Sequence, residues 1–395
     1  MSSRPGRRDG RDHRPVDEDR EGPVPSREMS SLSPAADSRR TAASPETRDT
    51  VGTDEEQLSL GKRLRQPRTI ISLVLPLVLI VLVVRALPGF ELERIPQLVG
   101  RANVGLLLVA FIVFYLGFPL RGLRWEMLLR GTGIRIGLKD SAEIIFLSFL
   151  INCLVPAKLG DVYRAYLLKI NSAASLSRTF GTVFIERVLD LFAIALLGLA
   201  AGYWSFRSGL PPDVQIVFGI GVGFIVLLAI ALFTMRNFGR RLLVRLPLPH
   251  RVLELYDRFE EGVFGAIAAH RVPALGVLTA LIWATEGMRL SMVLQAMFPQ
   301  NHVGISGAFF VALIGSLLTA VPLSPAGLGI VEAGMVGVLS LVYGFTPTEA
   351  GAIALVDRAI SVFSIIVLGS IAYAVSPKRR GAGLRAVRVA DGPAT

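Results

Sequence analysis

The side chains with chemistry to offer are arginines and carboxylates set inside apolar sequence. Glu186, Arg187 and Asp190 lie in one hydrophobic stretch, and Asp357 and Arg358 lie in another. Glu186 and Asp190 are four residues apart and therefore share a helical face. Each such side chain costs about 2.5 to 3.5 kcal/mol at the centre of a membrane helix, so lipid cannot surround it. Two readings compete. The acids and arginines can pair and pin helix to helix, or an arginine can offer forked hydrogen bonds to the phosphate of an anionic head group.

Each acid-arginine pair follows a break of nearly the same wording: Pro156-Ala157-Lys158-Leu159-Gly160 before the first, Pro325-Ala326-Gly327-Leu328-Gly329 before the second. The prolines are 325 − 156 = 169 residues apart and the arginines 358 − 187 = 171; matching Arg124 to Arg289 gives 289 − 124 = 165. Landmarks in one order at a near-constant offset indicate a duplicated unit, with halves at about 101–206 and 270–375. Around the first break Asn152, Lys158, Asp161 and Arg164 supply polar atoms. Short helix ends there could present free amides to an anion, or the same atoms could cap a hairpin. At the second break Pro322, Ser324, Pro325, Gly327 and Gly329 leave backbone carbonyls and amides almost alone, with Glu332 following. Ser324 has no His or Lys neighbour in sequence, so a catalytic serine is not expected. Cys153 is the one cysteine and lies in an apolar run, which suits a buried small side chain. The four histidines have no metal-ligand spacing, so neither metal nor cofactor is expected.

The elements that must position these residues are membrane helices. Of 395 residues, 52% are hydrophobic and 18% charged, and the apolar ones form long runs, which describes a polytopic all-α membrane protein. Residues 1–68 differ, being rich in Arg, Asp, Glu, Ser and Pro. They cannot bury enough surface to offset chain entropy and are expected to be disordered. That tail holds 14 Lys and Arg against 13 Asp and Glu, so most of the +11 net charge belongs to the membrane part. A signal anchor is expected from Thr69 to Val84, extending toward Gly89, and further spans near Val104–Leu120, Thr179–Tyr203, Val214–Thr234, Val272–Phe298 and Ala350–Val375. The second of these spans is expected to end in a basic loop holding Arg121, Arg124, Arg130, Arg135 and Lys139. The broken segments, about Ile144–Ile170 and Ile305–Tyr343, have arms mostly shorter than the roughly 20 residues a spanning helix needs. Re-entrant pairs are the economical reading; two tilted short spans keep the same topology. Between the halves Val252, Tyr256, Phe259, Val263 and Ile267 fall at helical spacing, as an interfacial helix or an extension of the next span. Gly219 and Gly223 are spaced for close helix approach.

Lysine and arginine placement orients the bundle. Three segments expected on one side carry 9 (Arg121 to Arg178), 7 (Arg236 to Arg271) and 5 (Lys378 to Arg388), whereas the opposite loops hold only Arg85, Arg94, Arg101 and Arg207. Both termini are therefore expected in the cytoplasm, with six full crossings. Three crossings separate the two copies, so the second is inverted relative to the first. Inverted repeats with broken helices meeting near the midplane are the architecture of alternating-access transporters, and irregular backbone at that depth must line protein or water.

The pattern Asn152-x-x-x-Pro156-x-Lys158-x-Gly160-Asp161-x-x-Arg164, then Glu186-Arg187-x-x-Asp190, then Pro322-x-Ser324-Pro325-x-Gly327-x-Gly329-x-x-Glu332, resembles the transmembrane family of lysylphosphatidylglycerol synthases, also called flippase-like. The likeness runs over about residues 70–376. Members usually carry Gly-Glu where this chain has Gly160-Asp161, and often Gly where it has Ala326. The resemblance implies movement of an aminoacylated or otherwise anionic lipid between leaflets; the leading reading is a translocase of such a lipid or of a lipid-linked glycan in the cell membrane. The synthases carry a soluble aminoacyl-transferase domain after the membrane region. This chain runs about twenty residues past its last span, so lysyl transfer by it is not expected, and neither is other enzymatic activity. The expected organisation is a cytoplasmic tail at 1–68, a flippase-like domain at 69–376 and a basic cytoplasmic tail at 377–395. Expected partners are anionic membrane lipids, and no nucleic acid. The competing reading is a scaffold that holds a separate glycosyltransferase or lipid-modifying enzyme without transporting anything.

Overall fold

The computed structural model describes residues 89–172, 174–206, 212–245, 249–300, 302–319, 324–381 and 388–389. The acidic and basic tail, the span expected at Thr69–Val84 and Pro322 lie outside them. Almost everything described is helical. After a short α1 (Ile95–Gly100), α2 (Val104–Gly131) opens on Asn103, whose side chain accepts from the Leu106 amide at 3.1 Å. That bond satisfies one of the free donors of a helix start. At 1.5 Å per residue its 28 residues span about 42 Å, more than the roughly 30 Å hydrocarbon core.

The basic loop expected after Leu120 begins only after Gly131, and of its five cations Arg130, Arg135 and Lys139 are exposed at or near it. Helix α2 runs on through Gly131, and Arg121 and Arg124 are buried on it. Arginine is a good helix former, and both side chains find acids on neighbouring helices, so nothing stops the helix at the first charge.

The first broken segment folds as α3 (Leu138–Leu154) and α4 (Leu159–Asn171), and the second as α9 (Gly304–Leu318), a turn at Pro325–Gly327 and α10 (Ile330–Tyr343). Between them come α5 (Leu176–Ser205), α6 (Pro212–Val244), α7 (His250–Gly265) and α8 (Val272–Met297). The chain closes with α11 (Pro347–Arg358), a π-helical turn at Ala359–Phe363 and α12 (Ser364–Val375) as one long rod. Five described stretches are long and apolar enough to cross a membrane: 104–131, 219–241, 272–297, 325–343 and 347–375. Helix α5, with 30 residues, is longer than any of these five stretches, but Glu186, Arg187 and Asp190 interrupt its apolar run.

Both broken segments are hairpins. The start of α3 and the end of α4 meet at Lys378: its Nζ lies 2.8 Å from Asp140 and also pairs with Glu143, while its carbonyl accepts from Asn171 at 2.7 Å. Lys378 follows directly on the end of α12. In the second hairpin Gly307, near the start of α9, lies against the Tyr343 ring at the end of α10, just before the rod begins at Pro347. The two hairpins therefore enter from opposite ends of the 347–375 rod. Helices α2 and α8 run antiparallel along each other, because the Asn103 amide donates to the Ala296 carbonyl at one end and Arg271 donates to the Met127 carbonyl at the other.

Helix α7 is a separate helix, divided from α8 by a turn at Ala269–Arg271, so it is no extension of the following span. Its apolar side rests on α5: Phe259 packs on Phe180 and Phe184, and Gly181 meets Gly262 so closely that neither site has room for a methyl. Gly219 and Gly223 are different. Nothing lies within 4 Å of a side chain built at either, so no described helix uses that approach.

Gly160 shows what closes the first hairpin. Its amide donates to Asn152 Oδ1 at 2.8 Å, and a Cβ there would overlap the Ser148 carbonyl and the Asn152 side chain. Gly160→Ala is expected to prise α4 from α3 and to lower the thermal unfolding midpoint in detergent markedly, whereas Gly219→Ala leaves it unchanged. Thermal-shift measurements on both variants check this.

Candidate functional site: a charged cavity between two hairpin tips

The two breaks share a backbone as well as a phrase. Ala157 and Lys158 have φ of 63° and 52°, and their counterparts Ala326 and Gly327 have 51° and 70°. Two successive left-handed residues turn the chain sharply enough for each hairpin to reverse. For a residue with a Cβ this conformation costs roughly 1 to 2 kcal/mol, so both tips are held by their surroundings. Asn152 caps the first tip, and at the second Ser324 donates to the Leu328 carbonyl at 2.8 Å while Glu332 accepts from the Gly329 amide at 2.6 Å. Asn152, Ser324 and Glu332 are thus engaged in shaping the turns, whereas Asp161 and Arg164 pair with side chains of α5.

Arginines on the long helices fasten the tips. Arg187 on α5 grips Asp161 of the first hairpin through two bonds of 2.9 Å and reaches Asp190 at 3.2 Å. Arg358 on α11 holds Glu332 of the second hairpin at 2.7 Å and the Ala326 carbonyl at 3.3 Å. Arginine and acid are 26 residues apart in both cases. A second type of pair also recurs. Arg124 on α2 binds Asp190 at 2.6 and 3.2 Å and approaches Glu186 at 3.4 Å, while its counterpart Arg289 on α8 binds Asp357 at 2.8 and 3.1 Å. Arg164 completes the Glu186 carboxylate at 3.1 and 3.2 Å and stacks on Trp125.

Further contacts join the halves beside these pairs. Arg121 donates to Glu286 at 2.7 Å across α2 and α8, and the Trp283 indole donates to Asp190 at 3.1 Å. Glu286 also pairs with Arg289 one turn along its own helix. Six buried cations (Arg121, Arg124, Arg164, Arg289, Arg358, Lys378) stand beside six buried acids (Glu126, Asp161, Glu186, Asp190, Glu286, Asp357) among the described residues. The interior is therefore balanced in charge, which is what a low-dielectric bundle requires.

Seven of these twelve groups line a cavity of about 190 Å³ between the hairpin tips. Of the residues singled out from sequence, Asn152, Lys158, Asp161, Arg187, Asp190, Ser324, Gly327, Asp357 and Arg358 line it. Pro156, Gly160, Arg164, Glu186, Pro325, Gly329 and Glu332 stand behind that wall and shape or neutralise it. Sequence reasoning missed Arg121, Trp283, Glu286 and Arg289 as lining residues. Arg121 was assigned to a loop, and Arg289 served only as a repeat landmark. The usable signal was Glu286 and Arg289 one turn apart in an apolar run. Cys153 is buried and also lines the cavity.

Helical spans packed around two broken hairpins and a shared charged cavity define a polytopic α-helical membrane protein. The comparisons make this specific: residues 69–369 match the family described as Lysylphosphatidylglycerol synthase TM region, and the chain belongs to it. Among its relatives, the UPF0104 membrane protein MJ1078 of Methanocaldococcus jannaschii is 37% identical over 224 residues, 56% of this chain and 92% of that one. A UPF0104 membrane protein of Methanothermobacter thermautotrophicus is 28% identical over 297 residues, 71% of this chain and 86% of that one. The protein named Glycosyltransferase AglD of Haloferax volcanii is 27% identical over 312 residues, covering 70% of this chain and 50% of its own length.

Breaking one buried pair leaves a charge without its partner, at a cost of about 3 to 5 kcal/mol. Asp357→Ala is therefore expected to destabilise the protein strongly, and Asp357→Leu combined with Arg289→Met much less than the sum of the single changes. A double-mutant cycle on unfolding midpoints in detergent measures the coupling.

Proposed function

We propose that this protein is a translocase that moves an anionic or aminoacylated lipid, or a lipid-linked glycan, between membrane leaflets, and that its two halves form an inverted repeat. The observation that carries this reading is the single cavity lined by both hairpin tips, which reach it from opposite ends of the 347–375 rod. Two further features support it: the antiparallel course of α2 and α8, the matched first helices of each half, and the recurrence of arginine-to-tip pairs in both halves. At about 190 Å³ the cavity is smaller than the roughly 300 to 1,000 Å³ of sites that engulf a drug-sized ligand. It suits a head group whose chains stay in the bilayer. In this reading Arg187 and Arg358 are the joints by which each tip is held to or released from its long helix, so that the cavity opens to one side at a time. Both termini lie in the cytoplasm, and no catalytic step is assigned to the chain. Burial of Arg121, Arg124 and Arg164 and the place of Lys158 in the cavity remove four of the nine cations first counted on the inner side of the first half, leaving 9 − 4 = 5, still more than the four on the opposite loops.

A second reading, a scaffold that serves a glycosyltransferase, is favoured by one finding. In the relative named Glycosyltransferase AglD, the region like this chain is about half of a longer protein.

Vesicles holding the full chain and a fluorescent phosphatidylglycerol, bleached from outside with dithionite, separate the two. Transport is expected for the wild type and a loss of tenfold or more for Arg187→Ala with Arg358→Ala, provided the variant elutes as the wild type does. Undiminished transport by that variant would remove the hairpin tips from the pathway. Absence of wild-type transport together with stoichiometric capture of one transferase would favour the scaffold.

A further inference from the structure

The cations around the cavity are not equivalent. Arg187 is committed to Asp161 and Asp190, Arg289 to Asp357 and Glu286, and Arg358 to Glu332 and the Ala326 carbonyl. Two positive groups are left with capacity. Among the described residues no carboxylate lies within 4 Å of Lys158 Nζ, and Lys158 is only half buried. Arg121 gives Nη2 to Glu286, but its Nη1 is buried with no hydrogen-bond partner. Both residues line the cavity.

The backbone at Lys158 sharpens the point. It sits at φ 52° and ψ 36°, a conformation glycine adopts freely, and the matching position of the second break is Gly327. A lysine in this place is explained by its side chain, since the turn itself would be better served by glycine. The second tip supplies no charged side chain from its Pro325–Gly327 turn, so the two faces of the cavity differ by one free cation.

We propose that Lys158, with Arg121, anchors the single phosphodiester of a membrane phospholipid on the first hairpin's side of the cavity; this rests on reading the cavity as a lipid site. Lysine acts as a point charge toward phosphate, and the Arg121 guanidinium in the same cavity wall adds its positive field. The head group is thereby held in one orientation with respect to the two halves. Arg187 and Arg358, already saturated by acids, position the tips and do not hold the phosphate.

The test uses Lys158→Gly, which copies the second break and relieves the strained backbone, so the variant is expected to fold at least as well as the wild type. Full-length wild type and variant in detergent are titrated with phosphatidylglycerol and followed by native mass spectrometry. The wild type is expected to retain one lipid, and Lys158→Gly to bind it at least about tenfold more weakly, the effect of losing one charge-assisted bond. Equal retention by both, or none by the wild type, overturns the proposal. Competition with glycerol 3-phosphate separates the sources of phosphate. Displacement at concentrations equal to those of the lipid would show that the site takes a free phosphate ester, and would overturn the lipid assignment. Lipid retention lost in Lys158→Gly while the wild type fails to transport would uphold the anchor and refute the translocase reading instead.

Discussion

The structure depends on a single electrostatic constraint: a charged side chain inside a membrane bundle needs a partner of opposite sign, because neither lipid nor dry protein stabilises it. Every long helix around the cavity meets this constraint through another helix. Arg124 joins α2 to α5, Arg289 joins α8 to α11, and Arg121 joins α2 to α8. Lipid provides little hydrophobic drive to bring helices together, so these bonds and close backbone contacts such as Gly181 on Gly262 are what select one packing from many.

The same constraint explains why the hairpin tips can sit deep in the bundle. Irregular backbone at that depth is tolerated only where its polar groups are met by protein or water. Asn152, Ser324 and Glu332 meet part of that demand from within each hairpin, and Arg358 meets more of it by binding the Ala326 carbonyl. The arginines therefore serve both as neutralising partners of Asp161 and Glu332 and as clamps on the turns. A change in one clamp alters the charge balance and the shape of the cavity together. The π-helical turn at Ala359–Phe363, directly after Asp357 and Arg358, locally rewinds the rod beside the cavity, where Ser361 and Val362 line it.

At the opposite end from the second hairpin, Lys378 sits between Asp140 and Glu143 and binds the end of α4 through Asn171. By sequence the residues after the last span form a basic tail. Their first turn, Pro377–Arg380, instead fastens both feet of the first hairpin to the rod. A lysine followed by two arginines reads in sequence as a solvated charge run; only the two acids brought near by folding make one of them a buried clasp.

Sequence alone determined the membrane class, the two breaks with their shared wording, and the demand that the embedded acids and arginines be paired, because composition, proline and glycine act locally and a buried charge carries its cost wherever it is placed. It also brought Arg124 and Arg289 into correspondence, and both proved to make the same kind of bond. Which acid meets which arginine was decided only by tertiary structure, since Arg121 and Glu286 are 165 residues apart and meet through the faces that two antiparallel helices present to each other. Arg121 and Arg124 show the reason most directly. A local reading ends a span at its first charges, whereas a partner on a neighbouring helix lets the span continue and turns a supposed loop into the wall of the cavity.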